Sequence, residues 1–378
     1  MTSISLCMIV KDEIDTLDRA LKSIEKVVDE IIIVQTFPSW PTKKICNKYS
    51  AKTYDFKWID DFSAARNFAF SKATKDYILW MDADDFWEPQ EMEKLLNLKI
   101  NMDTNIDAWM MGYIVRFDDN GVPLMSVQRE RLIKRSKNYQ WSGAVHECII
   151  IPETEKIAGI DIRIVHGTNR TEPNADRNIR IYETQIANGK ELDARELYHY
   201  GNELFDHKRY ADAIEIYEKM FKRQGNDLWI EHAISACGRC SEASNFLGKR
   251  ENILPYLTKS FEYDNPRAEA TSQIANYFLE NRNLKLAIFW AELTTMLVKP
   301  EYSPILMENC WTWLPHAILA NCFALLGDLD RALHHNEEIL KFKPTDPEAL
   351  NNKNILMNAI QQKRIQEQSQ RQIPVIKL

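Results

Sequence analysis

The sequence predicts an α/β domain followed by an all-α array of helical hairpins, on three observations. Up to about residue 190, short β-rich runs alternate with amphipathic helical segments, which is the pattern of a parallel sheet covered by helices. Beyond that point the strands stop and helix pairs with short polar turns take over. Finally, 378 residues that are 45% hydrophobic and 27% charged are enough for two real cores. The expected boundaries are 1–188 for the α/β domain, 189–360 for the repeats and 361–378 for a polar tail that frays from the last helix.

Taken in order, ISLCMIV at 4–10 and EIIIVQ at 30–35 are strands flanking a helix over about 14–27. A helix over PTKKICNKYS and a strand in AKTYDF follow. The next helix runs through SAARNFAFSKAT with Ser63 as its N-cap and delivers the chain into the buried strand DYILWM. Residues 107–170 hold further strand candidates: AWMMGYIVRF, RERLIKR, AVHECIII and DIRIVH. In the helical half a repeat can be counted, a small residue followed about twelve positions later by Ala and then by aromatic and Pro positions. Gly201, Ala213 and Tyr217 fit it, as do Ala320, Ala332 and Pro344. Ala275 with Ala287 is a weaker copy and the segment 240–266 a degenerate one, so the array resembles tetratricopeptide repeats.

Composition excludes several classes. A net charge of −7 and no basic block argue against nucleic-acid binding. Seven scattered cysteines, an odd number, argue against a secreted disulfide framework. The longest apolar runs fall far short of the roughly 20 residues of a membrane span, and the N-terminus lacks the features of a signal peptide, so a cytoplasmic location is expected.

The chemistry concentrates in YILWMDADDFW at 77–87, where three carboxylates follow a buried strand. Like charges at the mouth of a core are costly unless something positive joins them. In extended backbone, residues two apart share a face, so Asp82 and Asp84 would converge while Ala83 leaves room for a ligand. A divalent cation such as Mg²⁺ suits that point. For Asp85, the plainer role is to cap the helix that begins near Glu88 and Pro89.

The order SLCMIVKDE, DEIIIV, DDFSAARNFAFSKAT, WMDADD, WSGAVHE and VHG resembles the family-two inverting glycosyltransferases of the GT-A fold over roughly residues 3–170. With the repeats behind it, the chain is similar to bacterial polypeptide glycosyltransferases that modify cysteine or serine of bacteriocin peptides. The resemblance implies transfer of a sugar from a nucleotide-diphospho-sugar, a UDP-sugar favoured, with Mg²⁺ or Mn²⁺ as cofactor. It implies that Asp84 ligates the metal, that Asp82 contacts the ribose or a metal-bound water, and that His166 completes the metal site. Lys11, Glu13, Gln35 and Arg66 then fall where the family binds the nucleotide. An inverting transfer needs a base on the acceptor side, and Glu147 is the first candidate with His146 second. A strand would aim these two to opposite sides. A thiol acceptor would ask less of the base than a hydroxyl.

One departure stands out. The family's Asp and Gly-rich turn after the second strand is replaced here by VQTFPSWPT, with Gln35 at the Asp position and Phe37, Pro38 and Trp40 in the turn. Gln can still offer a donor and an acceptor to a pyrimidine edge, but uridine recognition is weakened. Alternatives are a glycosyltransferase of cell-surface glycan biosynthesis, or a non-catalytic interaction protein on a degenerate transferase fold. Expected partners are a nucleotide sugar, a polypeptide acceptor through Ser, Thr or Cys, and a second copy of the chain through the repeats. Of the minor signals, CGRC at 237–240 reads as buried helix cysteines rather than zinc ligands, His334 and His335 as surface residues, and NCWTWLPH at 309–316 as packing between repeats.

Overall fold

A computed structural model describes residues 2–117, 123–167, 176–223, 228–300 and 307–371. The chain divides into two units, residues 1–190 and 191–378.

The first unit is an α/β domain. Strands β1 (Ile4–Lys11), β2 (Glu30–Phe37), β3 (Lys52–Asp55), β4 (Tyr77–Trp80), β5 (Asp85–Phe86), β6 (Ala108–Phe117), β7 (Pro123–Lys134) and β10 (Ile157–His166) form one sheet in the order β3-β2-β1-β4-β7-β6-β10-β5. A separate two-stranded ribbon joins β8 (Gln140–Ser142) to β9 (Cys148–Ile150). Strands β3, β2, β1 and β4 are parallel, whereas β7 runs antiparallel to both β4 and β6. The expected parallel sheet is therefore mixed, because β7 pairs antiparallel with both of its neighbours, β4 and β6.

The helices cover both faces of this sheet. Side chains alternate along each strand, so Ile31 and Ile33 of β2 join one core with Leu17, Leu21 and Ile24 of α1 (Ile14–Ile24) and Leu95 and Leu98 of a later helix. Ile32 and Val34 join the opposite core with Ala69 and Phe70 of a different helix and with Trp141. In chain order the remaining helices are α2 (Trp40–Lys48), α3 (Phe62–Phe70), α4 (Pro89–Ile100, the source of Leu95 and Leu98) and α5 (Asp176–Ala187). Helix α3 starts one residue before the expected cap. Asp61, not Ser63, is its N-cap and accepts from the Ala64 N–H at 2.9 Å.

The second unit is all helix: α6 (Ala194–Asp206), α7 (Tyr210–Phe221), α8 (Ile230–Phe246), α9 (Ile253–Lys259), α10 (Ala268–Glu280), α11 (Leu284–Met296), α12 (Leu314–Leu325), α13 (Leu329–Phe342) and α14 (Pro347–Arg371). The counted repeats fall on α6 with α7, α10 with α11, and α12 with α13, each pair joined by three residues. Their small residues are where the helices touch. A Cβ on Gly201 would collide with the Tyr217 ring, 2.4 Å from its nearest atom, and Tyr217 is itself fully buried; Ala213, Ala275, Ala287 and Ala332 are fully buried too. The degenerate copy has an irregular form, a 17-residue α8 and a seven-residue α9. Cys237 and Cys240 are buried on α8. The expected tail is, through Arg371, the continuation of α14. His335 is not a surface residue as expected, because it is half-buried with its ring stacked on Phe323 and its Nδ1 3.1 Å from His316 Nδ1.

Candidate active site

The C-terminal ends of β1, β2, β4 and β10 open on a cavity of about 630 Å³. Lys11 and Glu13 line it from the end of β1, Asp82 and Asp84 from the turn after β4, and His166 from the end of β10. Arg66 enters from α3, and His146 and Glu147 come from the loop between β8 and β9. Eight of the nine residues singled out from sequence thus share one cavity. A second depression, of about 450 Å³, lies by Thr2, Asp76 and Arg135 and contains none of them.

Gln35 is the exception. It is fully buried at the end of β2, in register with Val10 and Asp55, and does not line the cavity. The period of two puts it on the face of Ile31 and Ile33. Its neighbour Thr36 reaches the cavity instead. Beyond it, Phe37 and Trp40 are 58% and 74% exposed.

The acidic cluster differs from the expected pairing in which carboxylate takes the third place. Asp84, Asp85 and His166 bring one ligand atom each to within 4.8 Å of one another, a set able to hold a metal ion. Asp82 is not in that set, since its Oδ1 accepts from Arg66 Nη2 at 2.7 Å. Nor does Asp85 cap α4, whose N-cap is Glu88. Asp85 belongs to β5, where it pairs with His166 of β10, and it is completely buried. Arg131 of β7, also completely buried, donates to Asp85 Oδ2 at 3.0 Å. The two buried groups thus meet each other rather than solvent.

Around that pair the hydrogen bonds orient the imidazole. Tyr113 donates to Asp85 Oδ1 at 3.0 Å and lies 2.9 Å from His166 Nδ1. With its proton on Asp85, the phenol oxygen accepts from Nδ1–H of a neutral His166 and leaves Nε2 as the nitrogen with a lone pair. Burial, reinforced by Asp85 and Asp82, pushes the Tyr113 phenol up, so it stays a donor. The contact with Asp85, together with the charges of Asp84 and Asp82, holds His166 above the usual imidazole value against the opposing effect of burial. At Asp82, burial opposes ionisation, but Arg66, Arg131 and Arg129 outweigh it and hold its carboxyl low.

Two of the sequence motifs prove to be one structural unit. Helix α3 carries DFSAARN, and WSGAVHE forms the loop packed against it. The Phe62 N–H donates to the Ala144 carbonyl at 2.9 Å, and the Ser63 hydroxyl donates to the Gly143 carbonyl. Asn67 accepts from the Trp141 N–H at 2.8 Å and donates to the Trp141 carbonyl at 3.0 Å. Arg66 completes the joint: its Nε donates to Glu147 Oε1 at 2.7 Å while Nη2 holds Asp82. Its guanidinium also lies by the rings of Trp80 and Trp141, 5.1 and 4.7 Å from their centroids.

The AVHE stretch is not the expected strand. Only Cys148–Ile150 is extended, and His146 has φ 51°, a left-handed backbone that histidine adopts at some cost. That kink brings both His146 and Glu147 to the cavity. Sequence reasoning missed Arg177, Asn178 and Arg180 of α5, which also line it, with Trp58, Asp60 and Phe62.

Residues 5–153 match the model of the family Glycosyl transferase family 2. Among relatives, a TPR repeat-containing protein of Synechococcus elongatus is 47% identical over 85 residues, 22% of this chain and 21% of that protein. The SPbeta prophage-derived glycosyltransferase SunS of Bacillus subtilis is 24% identical over 259 residues, 65% of this chain and 60% of that protein. The chain thus spans less than two thirds of either relative. Among solved structures, mannosyl-3-phosphoglycerate synthase from Rubrobacter xylanophilus aligns with a TM-score of 0.36 at 13% identity, over 50% of this chain and 75% of that one.

Proposed function

We propose a reaction for a chain whose residues 5–153 match the glycosyl transferase family 2 model: metal-dependent transfer of a sugar, with inversion, from a nucleotide-diphospho-sugar to a hydroxyl or thiol. The observation that carries it is the joint presence, in one cavity, of a metal-binding type of cluster and a base-bearing loop.

The donor set of Asp84, Asp85 and His166 fits a divalent ion of the Mg²⁺ or Mn²⁺ kind, and the imidazole favours Mn²⁺ over Mg²⁺. Such an ion supplies positive charge for the departing diphosphate. Every other task falls to side chains. Lys11 and Glu13 border the nucleoside end of the cavity, and Asp82, fixed by Arg66, presents its second oxygen to the donor. Glu147 is the base that takes the acceptor's proton, with Arg66 holding its Oε1, and His146 is the second candidate. The acceptor is a Ser, Thr or Cys of a polypeptide, a reading supported by the helical hairpins, whose kind of array binds extended chains.

The altered turn at 35–40 was the feature favouring a non-catalytic protein. Gln35 lies outside the cavity lining while the other expected residues line it, so that argument loses its footing.

A thermal-shift screen of nucleotide sugars, with and without Mn²⁺, tests the reading, UDP-sugars first. One donor should raise the melting temperature only when metal is present, and that donor should then be hydrolysed slowly. Failure of every nucleotide sugar to bind would refute it.

A further inference from the structure

We infer that Arg177 and Arg180 of α5 form a second binding element of the cavity, one that grips the phosphates of a nucleoside diphosphate from the wall occupied by α5. This rests on the donor-binding reading above. Both residues lie beyond the matched family segment, which ends at residue 153.

The charge layout carries the argument. Asp82 and Glu147, which line the cavity, share Arg66 as a fixed cation, and the buried Asp85 beside Asp84 is paired with Arg131. Asp84 and His166 remain with Asp85 as a site for a metal ion. Arg177 and Arg180 line the same cavity from α5, three residues apart and so on one helix face. Arg177 lies over the Phe62 ring at 4.7 Å, which fixes the guanidinium plane. Arg180 meets Asp60 only at 3.7 Å, with 66% and 47% of the two side chains exposed, a contact that an incoming anion can replace at little cost.

A ligand that meets a metal-binding group at one wall and a guanidinium pair at another must bind metal and carry several negative charges. A diphosphate does both, and the planar fork of arginine matches phosphate oxygens.

The test is titration calorimetry on the full chain in excess Mn²⁺, with uridine diphosphate, guanosine diphosphate, inorganic pyrophosphate and uridine as probes. Removing charge-assisted hydrogen bonds should weaken the diphosphates and pyrophosphate by about tenfold or more in Arg177→Ala with Arg180→Ala, with uridine unchanged. Arg180→Lys should recover part of the loss. Unchanged diphosphate and pyrophosphate affinity in the double variant, with wild-type binding intact, overturns this inference alone. A wild-type chain that binds none of the phosphate probes overturns the donor reading and this inference with it.

Discussion

Each unit buries an arginine between two carboxylates, and the two clusters serve different ends. Arg66 in the first unit spans Asp82 and Glu147 at the lining of a cavity. In the second, Arg267 grips Glu231 with both ends of its fork, at 2.7 and 2.8 Å, and takes Asp264 as well. Arg267 ties α8 to the start of α10 and borders no described cavity. The histidines repeat the contrast. His166 sits among carboxylates that raise its pKa, whereas burial lowers His232 and His335 to about 4. Arg66 stands at a cavity, whereas Arg267 joins two helices.

The largest expected effect tests that division directly. Asp84→Asn should abolish transfer and donor hydrolysis, a loss of at least about a hundredfold, while leaving the melting temperature near wild type. Retained activity, or full activity in excess chelator, refutes the metal-dependent reading. Next, Glu147→Gln should slow transfer by about 10²- to 10⁴-fold while leaving nucleotide-sugar affinity unchanged. If His146→Ala is inactive and Glu147→Gln is not, the base is the histidine.

On the other side of the comparison, Arg267→Ala takes the guanidinium fork away from buried Glu231 and should cost about 3–5 kcal/mol of stability. Donor binding per folded molecule should be untouched. Two glycines form a finer pair. A Cβ on Gly167 would collide with Arg19 and with the Asp84 carbonyl, and one on Gly201 with the Tyr217 ring. Gly167→Ala should therefore lower activity more than stability, and Gly201→Ala should do the reverse, by about 1–3 kcal/mol. Equal effects in both assays would blur the contrast.

The smallest effect is a pH dependence. Burial, aided by Arg195 at His232 and by His316 and His334 at His335, sets their folded pKa near 4 against an ordinary 6.5. Between those values the unfolded chain binds protons that the folded chain does not, so stability falls as pH drops from 6.5 to 4. His335→Gln should flatten that slope in thermal melts. An unchanged slope in both His335→Gln and His232→Gln would assign the acid sensitivity elsewhere.

Much of this was legible in the sequence because hydrophobic period follows local geometry. The runs at 4–10, 30–35 and 77–80 became strands, and the small-residue spacing marked the helix contacts. What stayed hidden depends on partners far along the chain. Asp85 looks like a helix cap until Arg131, 46 residues later, is seen to neutralise it. AVHECIII looks like a strand because its apolar run continues into Cys148–Ile150, and a left-handed turn at His146 has no period to betray it. An arginine pair on an amphipathic helix reads as a solvated face, which conceals Arg177 and Arg180.

The joint between α3 and the WSGAVHE loop has a consequence for how the specificity of the proposed reaction can change. Phe62, Ser63 and Asn67 grip main-chain atoms of Trp141, Gly143 and Ala144, so those bonds do not read the loop's side chains, provided that position 143, with φ 95°, stays glycine. Exposed Ser142 can be exchanged without loosening the anchor, whereas a change at Asn67 removes both bonds to the Trp141 backbone. A library directed at acceptor choice therefore belongs on the loop, with the helix beneath it left alone.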